Sequence, residues 1–310
     1  MSAYAMKVEQ HHKLMYAASV QMVAQQKRNA LENAVTTMPA SGEAMSAADL
    51  LDAGEYVYEE DRTRRNVEVP VTGSRRWLVR PPVIKSGDYI DLEDKFATAT
   101  DPTSSYVRVH TTRVLRGKQD RILGVRKEGA GFTVADGGIL GSAISGKRPG
   151  GAPTALPSGQ VVPHDSAGLT IGKLREAVRL LRLADFGIED DDPMYGLISP
   201  NQADDLLAIA EESAVSLNAF NIEELRSGKP RSLMGITWIM TNRLPHVAET
   251  RRLIPLFSKR NIAVGIWQDV QGDIWNDTHA DNKPYARVSA YIDAVRIEDR
   301  GVIAIECNEA

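Results

Sequence analysis

The sequence predicts an α+β protein in which helices and strands do not alternate in a regular βαβ pattern. Three observations lead to this class. A long, highly charged stretch at about residues 102–127 is typical of a helix, and a polar stretch at 55–92 has the alternation of a β-ribbon. From residue 169 onward, amphipathic helices are mixed with short apolar strands.

Composition limits the possible functions of the 310 residues, which are enough for one large domain or two ordinary ones. The contents of 43% hydrophobic and 25% charged residues are those of a soluble globular protein. A net charge of −4 argues against electrostatic binding of nucleic acid by the whole chain. Cys307 is the single cysteine, which excludes an internal disulfide and a cysteine-based zinc site.

The sequence predicts no membrane span and no signal peptide. No apolar run reaches the roughly 18 residues that a spanning helix needs. His11, His12 and Lys13 stand where a signal peptide requires an apolar core. We therefore expect the chain to be made and kept in the cytoplasm unless an assembly carries it elsewhere.

The N-terminal fifth resembles an extension more than a domain core. Residues 7–34 have helical periodicity but few apolar positions, and residues 35–54 are small and polar, as in an arm or linker. In the ribbon at 55–92, valines at 67, 69 and 71 alternate with polar residues, residues 72–74 indicate a turn, and 76–79 a return strand. A solvated surface hairpin and an arm lying on a neighbouring subunit both fit this pattern.

The long helix is predicted to begin with Asp101 as cap and Pro102 in its first turn. Gly117 lies inside it and could bend it, and Gly129 and Gly131 are expected to end it. A helix of this length spans nearly 40 Å at about 1.5 Å per residue. Its charged residues are expected to face outward: Arg108, Arg113, Arg116, Lys118, Asp120 and Arg121.

After the long helix, residues 129–168 are rich in glycine, serine and proline, with short strands expected at 132–134 and 160–162. The remaining elements follow in order: a helix capped by Thr170 and closed by Gly187, with Leu174, Ala177, Val178 and Leu181 on its inner face; a strand at 194–198; a helix with Ser199, Pro200 and Gln202 as its capping box; strands at 233–241 and 261–267; and a C-terminal hairpin of 287–296 with 301–307.

Few sequence patterns suggest chemistry. Residues 141–147 match most of a phosphate-binding loop, but Arg148 stands where Ser or Thr should bind magnesium, and Pro149 stops a following helix. Residues 190–192 are three consecutive aspartates, which indicate a solvated turn because they lack the spacing of a calcium loop. No histidine lies in a metalloprotease motif. We therefore predict no catalytic residue, no cofactor and no metal.

Several stretches, in this order, resemble one protein family. They are residues 12–26 (HKLMYAASVQMVAQQ), 75–78 (RRWL), 101–106 (DPTSSY), 120–129 (DRILGVRKEG), 168–177 (GLTIGKLREA), 198–207 (ISPNQADDLL), 234–235 (MG) and 301–307 (GVIAIEC). Together they are similar to the major capsid proteins of tailed bacteriophages, which have the Hong Kong 97-type fold. Their joint order covers nearly the whole chain.

This resemblance implies a domain plan and a function. Residues 1–54 would be the N-terminal arm, 55–92 the extended loop, 93–185 the peripheral domain with its spine helix at about 102–127, 186–285 the axial domain, and 286–310 strands returning to the peripheral domain. Pentamers and hexamers would form an icosahedral shell around double-stranded DNA, which would contact the inner face without specificity. A portal is an implied partner, and no membrane is involved. A separate scaffolding protein is expected because the sequence has no long coiled-coil N-terminal region that could act as a built-in scaffold, and the binding of a decoration protein is left open.

Five residues of the ribbon are predicted to contact neighbouring subunits: Arg62, Arg64, Arg65, Arg76 and Trp77. Lys85 cannot be matched to a Lys–Asn crosslinking motif, so no crosslink is predicted. Two alternatives stay open. An encapsulin-type nanocompartment shell has the same fold, and a nucleotide-using enzyme would be built on the glycine loop at 141–147.

Overall fold

The computed structural model describes residues 30–52, 72–89, 103–129, 131–146, 148–189, 191–212, 232–248, 250–280 and 282–309. Its helices are α1 (Thr103–Leu123), α2 (Ile171–Leu183) and α3 (Pro200–Glu212). Its strands are β1 (Thr36–Pro39), β2 (Ala44–Asp52), β3 (Thr72–Val79), β4 (Ile84–Tyr89), β5 (Val125–Glu128), β6 (Gly131–Val134), β7 (Ala143–Ser145), β8 (Pro153–Thr154), β9 (Val161–Val162), β10 (Met194–Ile198), β11 (Ser232–Leu233), β12 (Ile236–Met240), β13 (His246–Ala248), β14 (Arg251–Ser258), β15 (Ile262–Asp277), β16 (Lys283–Arg296) and β17 (Val302–Asn308).

The described elements confirm the α+β class. The chain divides into two compact units, the first containing residues 81–120 and 266–292 and the second 31–80, 121–265 and 293–310. The predicted N-terminal helix at 7–34 lies outside the described residues except for a short 3₁₀ helix, Ala30–Ala34. Residues 35–54 are not a linker, because β1 and β2 lie there.

The first unit packs most of α1 against an antiparallel pair. β16 pairs with β4 in the register Ala290↔Ile84 to Tyr285↔Tyr89, and β15 is its other neighbour. Val114 of the helix is buried with Val288 and Ala290 of β16. Since strand residues alternate between faces, β16 presents its even-numbered residues to the helix here.

Lys118 is an exception to the expected charged outer face of α1. It is 5% exposed, and its Nζ donates to Asp269 Oδ1 at 3.0 Å. This hydrogen bond lowers the pKa of Asp269. Gly117 does not break the helix, since α1 is continuous through it, and a Cβ there would overlap the side chain of Ile84. The glycine therefore gives the helix close access to β4.

The helix ends earlier than the sequence suggested. Gly124, with a φ of +76°, follows Leu123, so the predicted stop at Gly129 and Gly131 is wrong. Ile139 N and Leu140 N donate to the carbonyl oxygens of Ile122 and Leu123 at 3.0 and 3.1 Å. The carbonyls left free at a helix end are thus satisfied by a returning loop. Residues 125–128 form β5, which pairs with β6.

The second unit contains a seven-stranded sheet with the order β11-β12-β10-β14-β17-β9, with β13 beside β14. β10 pairs parallel with β12 and antiparallel with β14, and β17 pairs antiparallel with β14. The strand predicted at 194–198 is confirmed as β10. The strand predicted at 233–241 is instead two strands, because Met234 and Gly235 have φ values of +56° and +79° and form a tight turn.

The predicted C-terminal hairpin is wrong in its pairing. β16 and β17 are separated by a 3₁₀ turn at Asp299–Gly301, but they belong to different sheets. β17 lies between β14 and β9, where all four of Val302, Ile303, Ala304 and Ile305 are at most 1% exposed. A strand buried on both faces reads as a continuous apolar run, which is what this segment has.

Helices α2 and α3 begin as their sequences predict. Thr170 Oγ1 accepts a hydrogen bond from Lys173 N at 3.4 Å, and the four predicted inner residues of α2 are buried. Ser199 N donates to Gln202 Oε1 at 3.1 Å, which is the reciprocal half of a capping box. Gln202 Nε2 in turn donates to Glu309 Oε1 at 2.7 Å, a tie to the C-terminal segment that the sequence did not indicate.

Candidate intersubunit surface

The described part of the ribbon predicted at 55–92 is residues 72–89, and residues 55–71 lie outside the described part of the chain. β3 contains the predicted return strand at 76–79, but its partner is β2, which lies before the predicted ribbon. β2 and β3 together are called the ribbon from here on. They pair antiparallel from Ala44↔Val79 to Asp52↔Thr72, with a bulge between Ser46 and Ala48. The predicted turn at 72–74 is wrong, since these residues are part of β3. The ribbon therefore includes residue 44, and the segment that connects its strands is residues 53–71, outside the described part of the chain.

The outer face of the ribbon is polar and exposed. Asp49 lies directly opposite Arg75, and Arg75 Nη2 donates to Asp49 Oδ2 at 3.1 Å. This hydrogen bonding lowers the pKa of the Asp49 carboxyl. The Arg75 guanidinium lies 5.5 Å from the centre of the Trp77 ring, which is half-buried and whose Nε1 donates to Gly146 O at 2.9 Å. Leu51, nearer the end of the ribbon, is 72% exposed.

Arg76 points the other way, into its own subunit. It is 7% exposed, its Nε donates to Ile297 O at 2.8 Å, and its Nη2 lies 2.8 Å from Asp299 Oδ2. Its guanidinium is thus used inside the subunit, and its predicted contact with a neighbour stays a prediction. Trp77 is half-buried, and its predicted contact with a neighbour likewise stays a prediction. Arg62, Arg64 and Arg65 lie outside the described residues.

Residues 76–79 of β3, together with the side chains that bind them, are called the root of the ribbon. Asp299 binds a second buried arginine there. Arg296 is 0% exposed, and its Nε donates to Asp299 Oδ1 at 2.6 Å. Its Nη1 donates to Gly141 O, and its Nη2 to Thr154 O at 2.9 Å. Burial lowers the pKa of Arg296, while Asp299 opposes that change. One carboxylate therefore serves two guanidinium groups, as a buried charge requires.

Asp293 fixes the last residue of β3. Its Oδ2 accepts from Val79 N at 3.0 Å, and its Oδ1 accepts from Arg121 Nε at 3.0 Å. Arg121 also donates through Nη1 to Asp136 O at 2.9 Å, so it does not face outward as predicted. Burial raises the pKa of Asp293, and the charge of Arg121 opposes this. Two ion-paired sites thus hold the ribbon root, whereas the far end of the ribbon is exposed.

The glycine loop is not a phosphate cradle. Residues 143–145 form β7, which pairs with β3 and β8, and Gly141 is packed against the carbonyl oxygens of Ala135 and Gly137. An extended, paired strand cannot point successive amide groups at one anion. The nucleotide-binding alternative therefore loses its basis in residues 141–146.

The acidic turn is only partly solvated. Asp192 is 4% exposed, where a solvated side chain was expected, and it accepts from Gly187 N at 2.8 Å and from Ser258 Oγ. Asp191 is exposed. Within the described ranges, no group of three or more His, Cys, Asp or Glu side chains is placed to hold a metal ion. None of the described helices is long and apolar enough to cross a membrane.

The sequence model of the phage capsid protein family matches residues 8–309. The chain belongs to this family. It is thus a structural protein and no enzyme, and its copies assemble into the shell of a virion. No curated protein sequence matches the chain.

Solved structures agree with the family in fold. The capsid protein is similar to the capsid of cyanophage P-SCSP1u, with a TM-score of 0.66, 13% identity, and coverage of 96% of this chain and 94% of that one. It is similar to the capsid of Ralstonia phage GP4, with a TM-score of 0.66, 11% identity and 96% coverage of both chains. The SrpI encapsulin of Synechococcus elongatus has a TM-score of 0.57 and 12% identity, with coverage of 100% and 96%. The predicted Hong Kong 97-type fold is confirmed.

Sequence reasoning missed the residues that anchor the ribbon of this capsid protein: Asp293, Arg296 and Asp299. The available signal was weak, because aspartate and arginine near a turn normally indicate solvent exposure. The apolar residues 288–295 around Asp293 were the one indication, since a lone carboxylate in an apolar strand requires a partner.

Proposed function

We propose that this capsid protein forms an icosahedral shell of pentamers and hexamers that encloses phage double-stranded DNA and is assembled in the host cytoplasm. The observation that supports this most is the family match over residues 8–309, combined with a ribbon whose root is fixed by buried ion pairs and whose outer part is exposed. A rigidly anchored, exposed ribbon is suited to lie on a neighbouring copy.

The parts of the chain keep the roles that the resemblance implies. We assign residues 1–54 to the arm, 55–92 to the extended loop, 93–185 to the peripheral domain, 186–285 to the axial domain and 286–310 to the C-terminal strands. Because β2 pairs with β3, we propose to move residues 44–54 from the arm to the extended loop. β17 is paired with β14, so we group it with the axial strands.

Other partners follow from the assembly itself. A scaffolding protein, a portal and a decoration protein are proposed as protein partners, and DNA is proposed to contact the inner face without sequence preference. The net charge of −4 supports weak contact, because phosphate binding depends on lysine and arginine charge.

The ribbon arginines are proposed contacts with neighbouring copies. Reversing Arg64 and Arg65 to glutamate should abolish regular shells while the subunit stays folded. Arg126→Glu and Lys127→Glu, at exposed positions of β5, form the matched control. Electron microscopy of the assembled material measures the shells, and circular dichroism measures folding. Normal shells from the Arg64 and Arg65 variant would refute this role.

An encapsulin-type nanocompartment is a second candidate, favoured by the full-length similarity to the SrpI encapsulin. Purified particles distinguish the two. Nuclease-protected DNA in particles produced during phage growth supports the virion shell, whereas particles that enclose an enzyme and no DNA support the nanocompartment.

A further inference from the structure

Lys173 is a charged residue on the inner, buried face of α2. It lies in the first turn of the helix, and only 6% of its surface is exposed. An ammonium group that leaves water loses its hydration, which is costly unless hydrogen bonds within the protein replace it. The groups around Lys173 Nζ therefore have to supply those bonds.

Four backbone carbonyl oxygens surround Lys173 Nζ, at 2.6, 2.7, 2.8 and 3.2 Å. They belong, in that order, to His164, Ala167, Gly168 and Glu306. Lysine has three N–H donors, which equals the number of short contacts, so the fourth oxygen has the longest one. These four oxygens are called the carbonyl cage. The cage joins the loop before α2 to β17, since Glu306 lies in that strand.

The loop before α2 is folded so that its carbonyl oxygens converge. Asp165 and Ser166 have φ values of +45° and +54°, and Ala167 N donates to His164 O at 2.9 Å. Two successive positive φ values closed by such a bond form a tight reverse turn. Residues other than glycine seldom adopt these angles, so contacts outside the turn have to hold it. The Lys173 ammonium binds the carbonyl oxygens at both ends of this turn and supplies such a contact.

The carbonyl cage has the chemistry of a site for a monovalent cation. In selective potassium sites, several backbone carbonyl oxygens replace the hydration shell of one ion. Within the described ranges, the partners of Lys173 Nζ are carbonyl oxygens, and no carboxylate is ion-paired with it. The carboxylate of Asp205 packs against Gly168 and accepts from Leu169 N at 2.8 Å, so a negative charge lies beside the cage.

We propose that the carbonyl cage is a monovalent-cation site whose resident cation is the chain's own ammonium group. Shortening Lys173 to alanine opens this site to a cation from solution. Ammonium is the preferred ion, because its four N–H donors match the four oxygens. Potassium is the second, because it binds carbonyl oxygens without directional hydrogen bonds. In the wild type, the site holds the turn at 165–166 and the start of α2 against β17.

Water is the alternative occupant of the space that the lysine side chain leaves. A water molecule has two O–H donors, so it satisfies at most two of the four carbonyl oxygens, and it brings no charge. A hydrated cavity responds equally to salts of different cations, whereas a cation site distinguishes them. The identity of the added cation therefore separates the two cases.

The test compares Lys173→Ala with Lys173→Met and Lys118→Ala in the full chain. Lys173→Met fills the space of the lysine stem with an apolar side chain and leaves no room for an ion. Lys118 is the matched control, since it is 5% exposed and its Nζ donates to the carboxylate of Asp269. Urea unfolding is followed by circular dichroism in about 0.2 M ammonium, potassium or choline chloride, a concentration that fills a site of millimolar affinity.

In choline chloride, Lys173→Ala should unfold at a lower urea concentration than the wild type. Ammonium chloride should recover at least about half of that loss, because a ligand that binds only the folded state stabilises it. Potassium chloride should recover a smaller part. The difference between ammonium and choline should be the same in the wild type, Lys173→Met and Lys118→Ala, since none of them has an open cage.

An equal response of Lys173→Ala to all three salts would overturn the inference and indicate a hydrated cavity. An equal gain of Lys118→Ala in ammonium would also overturn it, because the effect would then not depend on the cage. If Lys173→Ala does not fold in any salt, NMR of the ¹⁵N-labelled wild type decides. Hydrogen bonds in the cage protect the Nζ protons from exchange with water, so a slowly exchanging ammonium signal should persist in Lys118→Ala. Absence of that signal would refute the ammonium as the resident cation.

Discussion

Replacing Asp299 by alanine should destabilise the subunit strongly, because two buried arginines depend on this carboxylate. Arg76 Nη2 and Arg296 Nε lie 2.8 and 2.6 Å from its oxygens. The two arginines are 7% and 0% exposed, whereas the Asp299 side chain is 20% exposed. The substitution thus removes the carboxylate that both arginines share, from a site where water has limited access.

The magnitude follows from what remains in the site. Breaking a buried ion pair by removing one partner costs about 3–5 kcal/mol. Arg76 keeps its bond to Ile297 O and Arg296 keeps its bond to Thr154 O, and Asp299 has some contact with water. We therefore expect the lower end, about 3 kcal/mol. For a chain of 310 residues this corresponds to a decrease in Tm of roughly 5 °C.

Urea and thermal unfolding of the unassembled subunit, followed by circular dichroism, measure this loss. Arg300→Ala is the matched control, since the Arg300 side chain is 73% exposed and lies 3.7 Å from Glu298. It should change the free energy of unfolding by less than about 0.5 kcal/mol. Arg76→Met should lower the free energy of unfolding less in the Asp299→Ala background than in the wild type. Equal stability of the Asp299 and Arg300 variants would refute the argument.

Gly124→Ala should lower the free energy of unfolding by more than about 2 kcal/mol, because the new Cβ would overlap Gly137 O. Gly129 has a φ of +57° but open space around it, so Gly129→Ala should lower the free energy of unfolding by only about 1 kcal/mol. Urea unfolding of the two variants measures both values. Burial raises the pKa of the Cys307 thiol to about 12, so a thiol reagent should label it only after denaturation. Burial lowers the pKa of His110 in the folded chain. Below about pH 6.5 the unfolded chain therefore binds a proton at this histidine more readily than the folded chain does, and the folded state loses stability as the pH falls. Between about pH 7 and 5, His110→Gln should lose less free energy of unfolding than the wild type, as measured by urea titrations.

The elements with a strong local signal were predicted well. β10 and the inner face of α2 were correct because burial and period coincide there, and the capping box at Ser199 is a local pattern that needs no tertiary context. The end of α1 was not predictable in this way. Gly124 and Gly129 both have positive φ, and the approach of residues 137–141 decides that the helix ends at the first of them.

The candidate intersubunit surface was predicted only in part, because the directions of its side chains also depend on contacts that are distant in sequence. The sequence indicated a polar ribbon, but not which of Arg75 and Arg76 faces the subunit. In a strand this depends on register, since a shift of one residue exchanges the two faces. The pairing of Arg76 with Asp299 spans 223 residues of sequence, so only the fold can assign it.

The root of the ribbon and its exposed part contribute differently to the stability of the subunit and to assembly. Among the described side chains of β2 and β3, only Arg76 and Leu78 are buried, so apolar burial fixes the register of the ribbon at one point and directional contacts at the same end add to it. The ties from Val79 to Asp293 and from Arg76 to Asp299 supply these contacts, and a buried polar group is costly if the register slips. The exposed part of the ribbon does not take part in these contacts and is available to contact other copies. Changes at the root should therefore reduce subunit stability, whereas changes at residues 55–65 should reduce assembly and leave stability nearly unchanged.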